Sequence, residues 1–172
     1  MVRLWLRLLV IEALKELPEC HLVLAGTGEN EGALRSLAAS LGLKDRVQFL
    51  GHVNHDLLPQ LFSATDAIVL PSESEGLANV WVEALACGTP IVVPDVGGAR
   101  ELLTNPAAGR LAAREPGAIA AAIKEILAKP PAQKAVTETV AGFSWDRNGA
   151  AIVDIWQRAV AATGKRRPPD NP

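Results

Sequence analysis

The sequence has little with which to build a metal site or a disulfide framework: 2 cysteines and 3 histidines in 172 residues. Cys20 and Cys87 lie far apart, lack the short spacing of a zinc site and adjoin apolar runs, so both are expected as buried free thiols. His21, His52 and His55 complete no ligand set. No metal and no cofactor is therefore expected, and nothing demands an oxidising compartment. An excess of one charge is lacking too. Lys+Arg 17 against Asp+Glu 19 leaves a net charge of −2, which gives no general affinity for nucleic acid or anionic lipid. Apolar runs long enough to cross a bilayer are also absent. The N-terminal stretch is broken by Arg7 and Glu12 and has no small-residue cleavage site after it, so it reads as a helix, not a signal peptide or a span.

What is present is an ordinary soluble composition, 49% hydrophobic and 21% charged, enough for one domain over residues 1–164. The basic cluster Lys165-Arg166-Arg167 falls in a Pro-rich tail, 165–172, expected to be disordered. Strand and helix patterns alternate along the rest. Helical spacing covers 8–17, 31–41, 56–62, 79–86 and a segment ending at 103. It returns in a segment opened by Pro116 and in 147–162. Gly42 and Gly88 stand where left-handed caps belong. Short apolar runs at 21–25, 46–50, 67–70, 90–93 and 109–112 read as strands. In the last helix Ile152, Ile155, Trp156, Ala159 and Val160 recur at helical spacing and are expected to be buried. Apolar strands without polar alternation, separated by helices, imply a Rossmann-like parallel sheet covered on both faces. Ligands of such sheets bind at the carboxyl ends of the strands, so function belongs in the loops after residues 25, 50, 70 and 93.

The first of these loops, Gly26-Thr27-Gly28-Glu29-Asn30-Glu31-Gly32, is a glycine turn opening a helix. It suits a phosphate, but also a plain strand-to-helix connection. It departs from a dinucleotide fingerprint: the glycine spacing is one residue too long. The next strand ends Phe49-Leu50-Gly51, without the carboxylate expected about 20 positions on. The third loop is richer. Glu75 precedes a helix, Gly76 permits close backbone approach, and the N–H groups from Leu77 to Val80 form a helix N-terminus. Glu83 lies about one turn inside that helix, flanked by Val82, Ala84 and Leu85. A carboxylate there needs a hydrogen-bonding partner such as a pair of ribose hydroxyls, unless it is a surface position or pairs with a cation. On spacing alone both readings stand.

The run from Asp66 through Glu101 resembles the signature of family-4 retaining glycosyltransferases, enzymes with two facing Rossmann-like halves, the GT-B fold. The resemblance is carried by Glu75 and Glu83 as a paired-glutamate motif. It continues through Glu83-Ala84-Leu85-Ala86-Cys87-Gly88-Thr89-Pro90 and Gly97-Gly98-Ala99-Arg100-Glu101. Weaker similarity extends over 8–162. The resemblance implies the C-terminal, donor-binding half of such an enzyme, taking a nucleotide-diphosphate sugar (a UDP-, GDP- or ADP-sugar). It would place Glu83 on the donor ribose and Glu75 beside the transferred sugar. Backbone groups of Gly76, Leu77, Asn79 and Val80 would lie near sugar and diphosphate. Gly51, His52 and Val53 would lie against the nucleobase, and Gly26 and Gly28 would line the cleft. Ala78 stands where the family often has glycine.

Members of that family enter this half through a strand bearing Gly-Arg, followed by a lysine, and those cations neutralise the diphosphate. Here the first strand is expected to be missing, along with the acceptor-binding half. Arg3 and Arg7 lack the strand context and are not assigned the role; Val2 to Leu6 alternates enough to fill the vacant place in principle, with little room for a turn. The expected function is therefore donor binding for sugar transfer with retention, with turnover by this chain alone doubtful. The alternative is a non-catalytic binding or assembly module that pairs with a separate acceptor domain. A sugar-nucleotide epimerase of related fold is disfavoured by the Glu75–Glu83 pair. The cytoplasm is the expected location, with any peripheral membrane association arising through the missing half.

Overall fold

The computed structural model describes residues 5–163 and divides after Val140 into two compact units. The first opens with α1 (Trp5–Ala13), continued by a 3₁₀ turn over Leu14–Glu16, then β1 (Leu22–Ala25), α2 (Glu31–Ser40) and β2 (Val47–Gly51). It continues with α3 (Leu58–Ser63), β3 (Ile68–Val69), α4 (Asn79–Ala86), β4 (Ile91–Val93), α5 (Ala99–Leu102), β5 (Gly109–Leu111), α6 (Pro116–Ala128) and α7 (Gln133–Glu138). The second unit is built on α8 (Trp145–Thr163). Trp5 and Leu6 are helical, so they belong to no strand, while Val2 to Leu4 and the basic tail lie outside the described residues. Helix α7 carries no strong apolar period and was not legible beforehand.

All strand pairs are parallel, as the apolar runs require. Among the described residues they form two sheets, β1-β2 and β3-β4-β5. The layers follow from the two-residue period of a strand. In β4, Val92 enters one core with Ile11, Leu34, Ile119 and Ile123, whereas Ile91 and Val93 enter a second with Trp81, Leu85, Leu102 and Val136. Strand β3 repeats the alternation, with Val69 against the first core and Ile68 against the second. Helices α1, α2 and α6 therefore cover one face, and α3, α4, α5 and α7 the other. This is the Rossmann-like arrangement of a parallel sheet with helices on both faces. The middle strand β4 is wholly buried, while β1 and β3 are only half-buried.

Local chemistry places the element ends. Gly42 and Gly88 adopt φ of +70° and +84° just past α2 and α4, the left-handed caps that the spacing implied. Pro116 sits in the first turn of α6, where its missing N–H costs nothing. In the second unit, the Ser144 hydroxyl accepts the Arg147 N–H at 3.2 Å, an N-cap that starts α8 at Trp145, not at 147. The expectation that its apolar stripe is buried is corrected: Ile152, Ile155, Trp156 and Val160 are all exposed. Helical periodicity marks an amphipathic face but cannot say what covers it. No helix among the described residues is long and apolar enough to cross a membrane.

Candidate functional site

Parallel strands put all their carboxyl ends on one side of a sheet, and the loop after β3 is the most elaborate there. The Leu70 N–H still donates to the Val92 carbonyl at 3.1 Å. Pro71 then ends the pairing, and it and Ser72 are buried under the loop. Beyond them the chain rises into solvent. Glu75 is half-buried, and Gly76 and Leu77 are exposed. Helix α4 begins at Asn79 from Ala78, whose side chain offers no cap. The first amide of this stretch with a backbone acceptor is that of Trp81, which donates to Ala78 at 3.0 Å. The N–H groups of Gly76 through Val80 have no acceptor among the described residues. Five free donors at a helix N-terminus concentrate positive potential and suit an anion.

Two carboxylates flank these donors in sequence. Glu75 sits on the loop and Glu83 in the second turn of α4, both half-buried. Neither carboxylate makes a hydrogen bond or an ion pair with another described residue. Glu83 lies near enough to Cys87 to matter electrostatically. Burial pushes the Cys87 thiol up, Ser63 opposes this, and the Glu83 charge adds to it. Both cysteines are free and half-buried, less enclosed than their apolar neighbours suggested. The third carboxylate of the loop, Glu73, is engaged: the Arg114 guanidinium, from the segment after β5, donates to it at 3.2 Å. Arg114 also has its Nε buried without a partner. Its part in the loop was not legible in the sequence, because 41 positions separate the two residues.

The loop after β4 closes against the same segment. Gly98 donates its N–H to the Gly76 carbonyl at 2.8 Å, and the Gly97-Gly98 turn lies directly over the Glu75–Gly76 backbone. Next to it, Asp95 and Arg100 form a bidentate pair at 2.7 and 2.5 Å that holds the Asp95 carboxyl below its ordinary range. The other two loops meet separately: the Gly26 N–H donates to the Gly51 carbonyl at 2.7 Å, and both glycines have positive φ. Gly28 and His52 are exposed and Val53 is half-buried. The candidate residues thus fall into two bonded groups. Glu75, Gly76 and Leu77 are tied to the loop after β4, with Asn79, Val80 and Glu83 following on α4. Gly26 is tied to the loop that carries His52 and Val53.

Two cavities, of 170 and 340 Å³, include none of these residues; one lies by Ser63, Asp66 and Gln133, the other by Arg35, Lys44 and Phe49. No cluster of three or more potential metal-binding side chains occurs among the described residues.

Comparison with known proteins gives this site its context. The D-inositol 3-phosphate glycosyltransferase of Geodermatophilus obscurus is 38% identical over 165 residues, covering 91% of this chain and 37% of the relative. An uncharacterized glycosyltransferase of Methanocaldococcus jannaschii is 32% identical over 165 residues, 91% of this chain and 42% of the relative. The chain therefore spans about two fifths of the length of such relatives. Among solved structures, the sucrose-phosphate synthase of Thermosynechococcus elongatus superposes with a TM-score of 0.79 at 29% identity, over 91% of this chain and 42% of that one. HepE of Anabaena in complex with UDP does so with a TM-score of 0.73 at 27% identity, over 90% and 44%. The family model for glycosyl transferases group 1 matches residues 8–141, and the chain belongs to that family, with the GT-B-like fold of its solved neighbours.

Proposed function

We propose that this chain is the donor-binding, C-terminal half of a retaining glycosyltransferase of family-4 type, with residues 1–164 as its domain. The observation that carries the reading is the run of acceptor-free amides from Gly76 to Val80, set between two carboxylates that lack partners among the described residues. A diphosphate supplies the anion that the amides of Ala78, Asn79 and Val80 lack, and the sugar hydroxyls supply acceptors for those of Gly76 and Leu77. Ribose hydroxyls supply the donors that a half-buried Glu83 lacks, each charge-assisted bond contributing about 1.5–3 kcal/mol. Glu75, on the loop, faces the transferred sugar, which it orients and whose developing positive charge it stabilises; no covalent role is assigned to it. Gly51, His52 and Val53 hold the nucleobase, and Gly26 and Gly28 line the cleft. In the transfer, the bond from the anomeric carbon to the diphosphate breaks and one to the acceptor oxygen forms with the same configuration. The acceptor proton leaves with the nucleotide. The acceptor itself is bound by the half outside this chain, because transfer requires both reactants held together.

Calorimetry with UDP, GDP and ADP tests the ribose assignment. One of the three binds the native chain, and Glu83→Ala weakens it by about 10-fold or more, as expected for the loss of two charge-assisted bonds. Equal affinity in the two proteins would sink the assignment. A second reading, an assembly module completed by a separate polypeptide, is favoured by the division of the strands into two sheets with half-buried strands β1 and β3. On that reading a co-expressed acceptor half copurifies with the chain, and only the pair transfers sugar.

A further inference from the structure

Gly97 has a geometry that local turn chemistry does not explain. Its φ is +52°, and a Cβ on it would stand 2.1 Å from the Glu75 carbonyl oxygen and 2.2 Å from that of Gly76. Two consecutive carbonyls of the loop after β3 therefore converge on the bare Cα of a residue in the loop after β4. The hydrogen bond from the Gly98 N–H to the Gly76 carbonyl, at 2.8 Å, holds them there. In a planar trans peptide the N–H of the next residue points opposite to the carbonyl. Drawing the carbonyls of Glu75 and Gly76 inward to Gly97 thus turns the N–H groups of Gly76 and Leu77 outward, and neither has an acceptor among the described residues.

We propose that Gly97 is a positioning residue of the site: by lacking a side chain it lets two carbonyls pack behind the loop, and so aims the amides of Gly76 and Leu77, and with them Glu75, at the ligand. The inference rests on the donor-binding reading given above. It assigns to Gly97 the sugar-side end of the donor, since Glu75, Gly76 and Leu77 are the part of the loop it touches, while Glu83 on α4 lies further along the chain. Gly97 acts through the backbone it supports and not by contact with the ligand. Gly98 has a different part: its φ is not left-handed, and an added Cβ would meet the flexible Leu77 Cδ1 at 2.9 Å. Crowding there is relieved by shortening Leu77, whereas crowding at Gly97 meets backbone and has no such relief.

The test compares the native chain with Gly97→Ala, Gly98→Ala and the double variant Gly98→Ala/Leu77→Ala. Affinities are measured by calorimetry for UDP, GDP and ADP and for the corresponding nucleotide-diphosphate glucoses. In Gly97→Ala the preference for the sugar nucleotide over the free diphosphate falls about 10-fold, with diphosphate affinity held within about 2-fold, the scale of loss set by misplacing groups by an ångström or less. An unchanged preference in folded Gly97→Ala, or an equal loss for both ligands, overturns the proposal. Should Gly97→Ala fail to fold, the other pair decides. Gly98→Ala lowers the same preference and the added Leu77→Ala restores it; no restoration overturns the proposal. If the native chain binds none of the six ligands, the donor-binding reading fails. Amide exchange then judges the turn separately: a protected Gly98 N–H supports the backbone clamp and a freely exchanging one refutes it.

Discussion

At the scale of single residues, Arg46 ties the end of one helix to the chain that follows it. Its guanidinium donates to the carbonyls of Leu14, Leu17, Pro18 and Cys20 at 3.1, 2.6, 3.0 and 3.2 Å. They lie at the end of the 3₁₀ extension of α1 and in the turn after it, where the helix dipole also favours a cation; those of Leu14 and Leu17 accept the backbone N–H groups of Leu17 and Cys20 as well. A planar fork with five donors can serve four carbonyls at once; a lysine ammonium cannot. Arg46→Met is expected to lower stability in urea unfolding by about 2–3 kcal/mol and Arg46→Lys by about 1–2 kcal/mol, the range for losing charge-assisted bonds. Equal midpoints for the native chain and Arg46→Met would refute this. The sequence offered no hint of this role, since Arg46 stands 26 to 32 positions from its acceptors.

At the scale of elements, two glycines show how position decides the sign of one substitution. Gly109 begins β5 at φ +139°, and a Cβ there would fall 1.9 Å from the Ile91 carbonyl oxygen of β4. Gly32 lies in the first turn of α2 with nothing within 4 Å of an added Cβ. Gly109→Ala is expected to break the β4-β5 pairing and remove about 3 kcal/mol or more of stability, combining strain with a backbone collision. Gly32→Ala is expected to raise stability by about 0.5 kcal/mol through helix propensity and a less free unfolded chain. Thermal melts of the two variants check both signs together. Glycine type and spacing alone do not separate them. The difference lies in which backbone passes overhead.

At the scale of the whole first unit, the arrangement of the strands predicts uneven protection. Ile68 and Leu70 donate to Pro90 and Val92 at 3.0 and 3.1 Å. By the alternation of a parallel ladder, the N–H of Val69 between them points to the opposite edge of β3. Among the described residues no strand pairs there. Hydrogen exchange followed by NMR should therefore find the Val69 amide exchanging about 10-fold or more faster than its two neighbours, as expected for an unpaired edge. A completing polypeptide, if the assembly reading holds, should slow it selectively. Equal protection of all three amides in the isolated chain would contradict the edge assignment.

Much of this was determined by the sequence alone. The apolar runs without alternation specified parallel strands between two layers of helices, although only β4 is wholly buried. Gly42, Gly88 and Pro116 marked helix ends because their conformational limits are local. The Glu75–Glu83 spacing with its glycine-rich flanks resembled a glycosyltransferase signature, and the family model agrees at the level of glycosyl transferases group 1. What remained for the tertiary structure was whatever depends on distant backbone. It showed the convergence of two carbonyls on Gly97, the capture of Glu73 by Arg114 and of α1 by Arg46, and an exposed α8 stripe whose period had promised burial. It also showed two sheets among the described residues. The physical reason is the range of the forces involved. Dihedral preference and hydrophobic period act within a few residues, so they can be read along the chain. A steric fit or a hydrogen bond between loops exists only once the fold has brought them together.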